Sequence, residues 1–294
     1  MAFEMREMPN GFALELVGVP LHETPSAQTV GRITAAWTDR GVLLYRRQAI
    51  SEAELRDFSG CFGKLERVVR TDWASPNVPD VGIISNMRNM TGNLIGGLGD
   101  GEVQWHSDQS YVANPATGCL LHAVELPRTG GDTMWANLAS AYAKLPSHLH
   151  QVVEGRKGLF SYTKRLAGYG EGDRKITAEM RAKTPDVVHD LVQRNPRTGK
   201  ASLYFDPTTI IGIVGMPDDE ARTVLTELTV FCTQPQFVYR HKWQVGDVVM
   251  WDNAFLLHRR ESFDPNQVRL MKRTTLALSP DVHIVPHGAE AVFA

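Results

Sequence analysis

Apolar and polar positions alternate through Phe12–Val19 (FALELVGV), the period-two signature of a strand with one buried face. The period then changes. Val30, Ile33 and Trp37 recur at helical spacing within Thr24–Asp39, and Gly41 ends that helix ahead of the apolar run Val42–Tyr45. Ser51 followed by Glu54 is a capping-box signature, with Phe58, Cys61 and Phe62 as the apolar face of the helix it opens. From about residue 64 to 115 the chain is rich in turns, and Gly92, Gly96, Gly97, Gly99 and Gly101 crowd one stretch. Such a run predicts a mobile loop, and it leads directly into QWHSDQSY.

Beyond residue 116 short strands are expected at Cys119–Glu125, Asp132–Trp135, Lys157–Tyr162, Ser202–Phe205, Phe237–Arg240, Asp247–Trp251 and Met271–Leu278. Helices over Leu138–Leu145 and Asp218–Cys232 interrupt them. Many short strands with few helices predict a mainly β barrel or jelly roll with helices packed outside, an α+β protein overall. No repeat or Pro/Ser-rich linker divides the chain, so residues 1–294 are expected to form one domain with its core at about 80–280. Residues 163–187 are polar and weakly patterned, and a lid is expected there.

Composition narrows the function classes. A net charge of −2 and a pI near 6.6 leave no electrostatic footprint for nucleic acid or an anionic membrane. No apolar run is long enough to cross a bilayer, and the N-terminus has no signal-peptide pattern. Cys61, Cys119 and Cys232 are odd in number and widely spaced, as expected of reduced, buried thiols in a cytoplasmic protein. A small-molecule partner is the remaining expectation, and a homo-oligomer is compatible with it.

The chemistry concentrates at His106-Ser107-Asp108. In extended chain, side chains two apart share a face, so both groups can reach one metal ion. His258, after the apolar strand and the WDN turn, is the leading second imidazole. Two neutral imidazoles and a carboxylate make the facial triad that suits a non-haem iron(II) ion, with positions left for a co-substrate and O₂. His148 and His150 are also two apart, but PSHLHQVV reads as helix and sends them to different sides. Arg269, Met271 and Arg273 share one face of VRLMKRTTLAL. Either that face meets solvent, or two guanidiniums face the metal and require anions to pair with.

WHSD at 105–108, GGDTMWAN at 130–137, WDN at 251–253, His258 and Arg269 together resemble the taurine dioxygenase/2,4-dichlorophenoxyacetate dioxygenase family, in motif order from about residue 10 to 280. The resemblance implies a double-stranded β-helix (jelly roll) with Fe(2+) held by His106, Asp108 and His258. It implies 2-oxoglutarate bound by Arg269 and Thr133, O₂ as the second co-substrate, and succinate and CO₂ as products. Arg273 falls where several members hold an anion, and YTKRL at 162–166 resembles the stretch leading into the substrate lid. Substrate-facing residues are therefore expected at Arg273, Tyr162, Lys164 and Asn86. The expected reaction is hydroxylation, with or without cleavage, of a small anionic molecule. A zinc-type hydrolase and a non-catalytic jelly-roll binding protein remain as alternatives, and neither gives Arg269 a task.

Overall fold

A computed structural model describes residues 3–9, 12–68, 71–167 and 184–291. Two antiparallel-rich sheets face one another. The larger has the order Glu4–Glu7, Ala13–Val17, Val42–Tyr45, Val248–Asp252, Gly118–Glu125, Leu270–Ala277, Gly82–Ser85, Gly97–Leu98, with Lys64–Leu65 on the side of Leu270–Ala277. The smaller runs Val238–His241, Thr133–Asn137, Leu256–Arg260, Val103–His106. The fold is a jelly roll, as expected from the strand-rich second half of the chain.

Alternation decides what each face buries. In the large sheet Cys119, Leu121, Val249, Trp251 and Met271 point into the space between the sheets, where Trp135, Tyr239 and Leu256 of the small sheet meet them. Leu120, Val248, Met250 and Leu276 point the other way and receive Ile33, Trp37, Leu55 and Phe58 from the helices Ala27–Arg40 and Glu52–Gly60. The small sheet is also covered on its back: Ala136 and Leu257 pack with Phe160, Val224 and Leu228. Those come from a further sheet, Ile210–Ile213, Lys157–Phe160, Val187–Asp190, Ala289–Glu290, and from the helix Asp218–Cys232.

Local signals set the boundaries. Ser26 caps the first helix by accepting from the Thr29 N–H, and Gly41, at φ +79°, closes it. The Ser51/Glu54 capping box is formed in full. The stretch expected to be a mobile Gly-rich loop is partly built. Ile84 pairs with Gly97 and Ser85 with Leu98, and the Asn89 side chain accepts from the backbone N–H groups of Thr91 and Asn93. Of the expected lid at 163–187, residues 163–167 belong to a helix, Tyr162–Ala167, and 168–183 lie outside the described residues. Cys119 and Cys232 are buried, whereas Cys61 is half-exposed at the end of its helix, and all three are free thiols. No helix of the described residues is long and apolar enough to cross a membrane.

Candidate metal centre

The small sheet delivers the first cluster. Along Leu256–Arg260, period two turns Leu256, His258 and Arg260 toward the large sheet, and in the neighbouring strand it turns Thr133 and Trp135 the same way. His106 ends the strand Val103–His106 and is the register partner of His258. Asp108 follows two residues later at a turn, and Gln109 next to it holds φ +56°, a conformation that costs energy for a non-glycine residue. One ligand atom each from His106, Asp108 and His258 lies within 4.8 Å of the others. His106 Nε2 is 3.8 Å from Asp108 Oδ1, and His258 Nε2 is 4.0 Å from Asp108 Oδ2.

The protonation states suit a divalent cation. Burial drives His106 well below its ordinary value, and His258 and Arg165 push it the same way. Burial likewise pushes His258 down to about 4. Burial alone would raise the Asp108 carboxyl, but Arg273, both imidazoles and Arg165 outweigh it and hold the group below the usual carboxylate range. Two neutral imidazoles and one carboxylate result. His106 Nδ1–H donates to the Gln104 carbonyl at 2.7 Å, which fixes the tautomer that leaves Nε2 free as a donor to metal. His258 Nδ1 is buried without a partner, and packing against Trp251 at 5.2 Å and His106 at 4.0 Å sets its ring.

Two turns of the chain hold this loop from outside. Ser107 Oγ donates to the Asn253 carbonyl at 2.8 Å, while the Asn253 side chain accepts from Trp251 Nε1 and donates to Cys119 Sγ. Asp206, fully buried, accepts from the Ser107 N–H, the Ser110 hydroxyl and both the N–H and hydroxyl of Thr208. Thr208 in turn accepts from Arg165 at 2.6 Å.

Beside the triad lies a second, cationic cluster. Arg269 is only 2% exposed, its Nε has no hydrogen-bond partner, and no ion pair involves it among the described residues. Burial, reinforced by Arg260, lowers its pKa to about 9, the response of a buried guanidinium that lacks an anion. Gly131, at φ +70°, makes the room: a Cβ there would sit 3.2 Å from Arg269 Nε. Thr133 stands two residues on, paired in register with Arg260. Arg260 is a site residue the sequence motifs do not reveal, although it lies two positions from His258 on the same face. Its guanidinium donates to the carbonyls of Leu98, Gly99 and Gly101 and so ties down the Gly-rich run.

The residues expected to face substrate separate. Arg273 shares the inward face of Met271, and its Nη1 lies 3.3 Å from Asp108 Oδ2. Tyr162 packs against Tyr111 with ring centroids 4.7 Å apart. The Lys164 ammonium donates to the Ile210 carbonyl at 2.6 Å, and of these two adjacent cations, Lys164 and Arg165, it is Arg165 whose charge bears on the triad. Asn86 Oδ1 accepts the Arg269 N–H and its Nδ2 donates to the Gln267 carbonyl, so its amide positions the Arg269 strand. The alternation expected through the arginines holds, with Lys272 on the opposite face pairing with Glu52 at 2.5 Å.

The family model described as "Taurine catabolism dioxygenase TauD, TfdA family" matches residues 4–275. The chain is 31% identical over 281 residues to the alpha-ketoglutarate-dependent 2,4-dichlorophenoxyacetate dioxygenase of Cupriavidus pinatubonensis, spanning 90% of this chain and 94% of that one. It is 30% identical to the pentalenolactone F synthase of Streptomyces avermitilis, over 88% of each. The crystal structure of AAD-2 in complex with Mn(II) and N-oxalylglycine superposes with a TM-score of 0.79 at 28% identity, covering 95% of this chain and 98% of that one.

Proposed function

Because the chain belongs to the TauD, TfdA family and is a 2-oxoglutarate-dependent dioxygenase, we propose that it holds Fe(2+) through His106, Asp108 and His258 and oxidises a small anionic organic molecule. The observation that carries this reading is the buried Arg269 guanidinium, without an ion-pair partner among the described residues, beside a triad of two neutral imidazoles and a carboxylate. The hydrolase and binding-protein alternatives leave that guanidinium without a purpose, and family membership does not favour them.

Iron bound there supplies the O₂ chemistry that couples decarboxylation of 2-oxoglutarate, to succinate and CO₂, with oxidation of a substrate C–H bond. The chain supplies placement and charge. His106 Nε2, His258 Nε2 and the Asp108 carboxylate would hold the ion as its three protein donors. Arg269 grips the distal carboxylate of 2-oxoglutarate, with the Thr133 hydroxyl as a second donor. Arg260 keeps residues 98–101 folded against that site and so limits water there. Trp135 and Trp251 close the inner wall as packing residues.

Charge points to the substrate class. Arg273 and Arg165 both bear on Asp108 at the triad, and a guanidinium recognises a carboxylate or a similar oxyanion by paired hydrogen bonds. A substrate carrying a carboxylate, sulfonate, sulfate or phosphonate is the class that such groups recognise. The relative from Cupriavidus pinatubonensis acts on a carboxylate by its name. The deciding experiment reconstitutes the enzyme anaerobically with Fe(2+) and 2-oxoglutarate. Paired anionic and neutral compounds are then screened for O₂-dependent succinate release. Turnover of an anionic member over its neutral counterpart is expected, and a neutral best substrate overturns the class.

A further inference from the structure

Trp243 belongs to none of the motifs that mark the site, yet its indole Nε1–H donates to the Thr133 hydroxyl oxygen at 3.0 Å. A threonine hydroxyl has one hydrogen and two lone pairs. With one lone pair taken by the indole, the hydroxyl's own hydrogen is turned to another direction. Thr133 is buried, and among the described residues no acceptor receives that hydrogen.

Trp243 is itself held firmly. Its ring stands edge-on to His241, with centroids 4.6 Å apart and planes at 89°. His241 is the register partner of Thr133, so the indole reaches back across one strand pair. Asp247, fully buried, accepts from His241 Nε2 at 3.0 Å, from Arg46 Nη1 at 2.6 Å and from the Gln244 N–H at 2.9 Å. The Asp247 N–H returns a bond to the Gln244 carbonyl at 3.0 Å, closing the turn next to Trp243. With Nε2–H given to the carboxylate, His241 Nδ1 accepts from the Tyr239 hydroxyl at 2.9 Å.

We infer that Trp243 is a positioning residue for the co-substrate: by occupying one side of the Thr133 hydroxyl it aims the Thr133 O–H at the distal carboxylate held by Arg269. The inference rests on Arg269 and Thr133 forming the 2-oxoglutarate carboxylate site. A freely turning hydroxyl presents lone pairs to a carboxylate as readily as its hydrogen, and an oriented one has already met that ordering cost before the ligand arrives. It also makes the site selective for an acceptor, since a neutral or donor group there finds another donor.

The test is calorimetric binding of 2-oxoglutarate to the Mn(II)-loaded enzyme without O₂, for wild type, Trp243→Phe, Thr133→Val and the double variant. Each single change is expected to weaken 2-oxoglutarate about 5–10-fold, the loss of one hydrogen bond to a charged acceptor. The double variant should bind within about twofold of Thr133→Val, because the indole then has no hydroxyl to orient. Mn(II) affinity should stay constant throughout. Trp243→His, which keeps a ring N–H, should recover most of the loss and serves if the Phe variant folds poorly. Losses that multiply in the double variant mean that Trp243 acts by packing alone and overturn the inference. So does a Trp243→Phe enzyme with wild-type affinity. A Thr133→Val enzyme with wild-type affinity removes Thr133 from the co-substrate site, which fails the underlying assignment and the inference with it.

Discussion

His106 and His258 sit directly opposite one another across an antiparallel strand pair, their ring centroids 4.0 Å apart. Their separation is therefore set by the spacing of two hydrogen-bonded strands, with only Asp108 placed by a turn. A ligand pair fixed in this way is preorganised before any ion arrives.

Each of His106→Ala, Asp108→Ala and His258→Ala is expected to weaken Fe(2+) or Mn(II) binding at least about 100-fold and to abolish turnover. His148→Ala and His150→Ala should bind metal as wild type does; His148 is exposed and pairs with Glu227 at 2.7 Å, away from the centre. Anaerobic calorimetry measures this, and an Asp108→Ala enzyme with undiminished affinity would refute the triad.

Arg269→Ala should weaken 2-oxoglutarate about 10–100-fold while leaving the metal bound, since a charge-assisted bidentate pair is worth roughly 1.5–3 kcal/mol. Titrating the absorption band of the anaerobic ternary complex reads this directly. An unchanged constant would place the co-substrate elsewhere.

Arg273→Gln should raise the KM of an anionic substrate about tenfold with little change for 2-oxoglutarate. Because Arg273 also lies 3.3 Å from Asp108, metal affinity is measured in parallel. A rise confined to 2-oxoglutarate would reassign Arg273 to the co-substrate.

Arg260→Met removes the donor shared by the carbonyls of Leu98, Gly99 and Gly101. Hydrogen exchange across residues 96–101 should quicken about tenfold or more, as follows from losing roughly 1.5 kcal/mol of charged hydrogen bonding. Identical exchange in the variant would show that the loop is held by its own turns.

Acid should destabilise the metal-free protein through its buried imidazoles. Burial pushes His189 to about 4 and His258 to about 4, and lowers His106, His122 and His241. Unfolding returns each to about 6.5, so between those values the unfolded chain binds more protons and stability falls as pH drops from about 6.5 toward 4. His189→Gln should flatten the stability curve by up to about 1.4 kcal/mol per pH unit in that window. Chemical denaturation at several pH values checks this, and an unaltered slope would show that His189 protonates equally in both states.

Much of the frame was legible where one force acted alone. Val42–Tyr45, buried on both faces, and Asp218–Cys232, an amphipathic helix, stand at the bounds their patterns suggest. The strands Val103–His106 and Leu256–Arg260 did not show, because the inward positions of LLHRR are filled by His258 and Arg260, and a polar residue facing inward erases the alternation. Applying the spacing of two that joins His106 to Asp108 would have found Arg260 from His258. Asp206 and Trp243 carried no local signal at all, since their partners, Ser107 and Thr133, are about a hundred residues distant. Lys164 and Arg165 are adjacent cations, and only the docking of their helix decides which one faces the triad.

Asp206 ties Ser107, the residue between two of the proposed metal ligands, through Thr208 to Arg165, whose charge bears on them. Substitutions on that side would therefore disturb chemistry and recognition together. The side chain of Met90, fully exposed on a turn held by Asn89, carries no such obligation. Libraries aimed at residues 87–95 should therefore retain metal binding while those at 204–209 lose it.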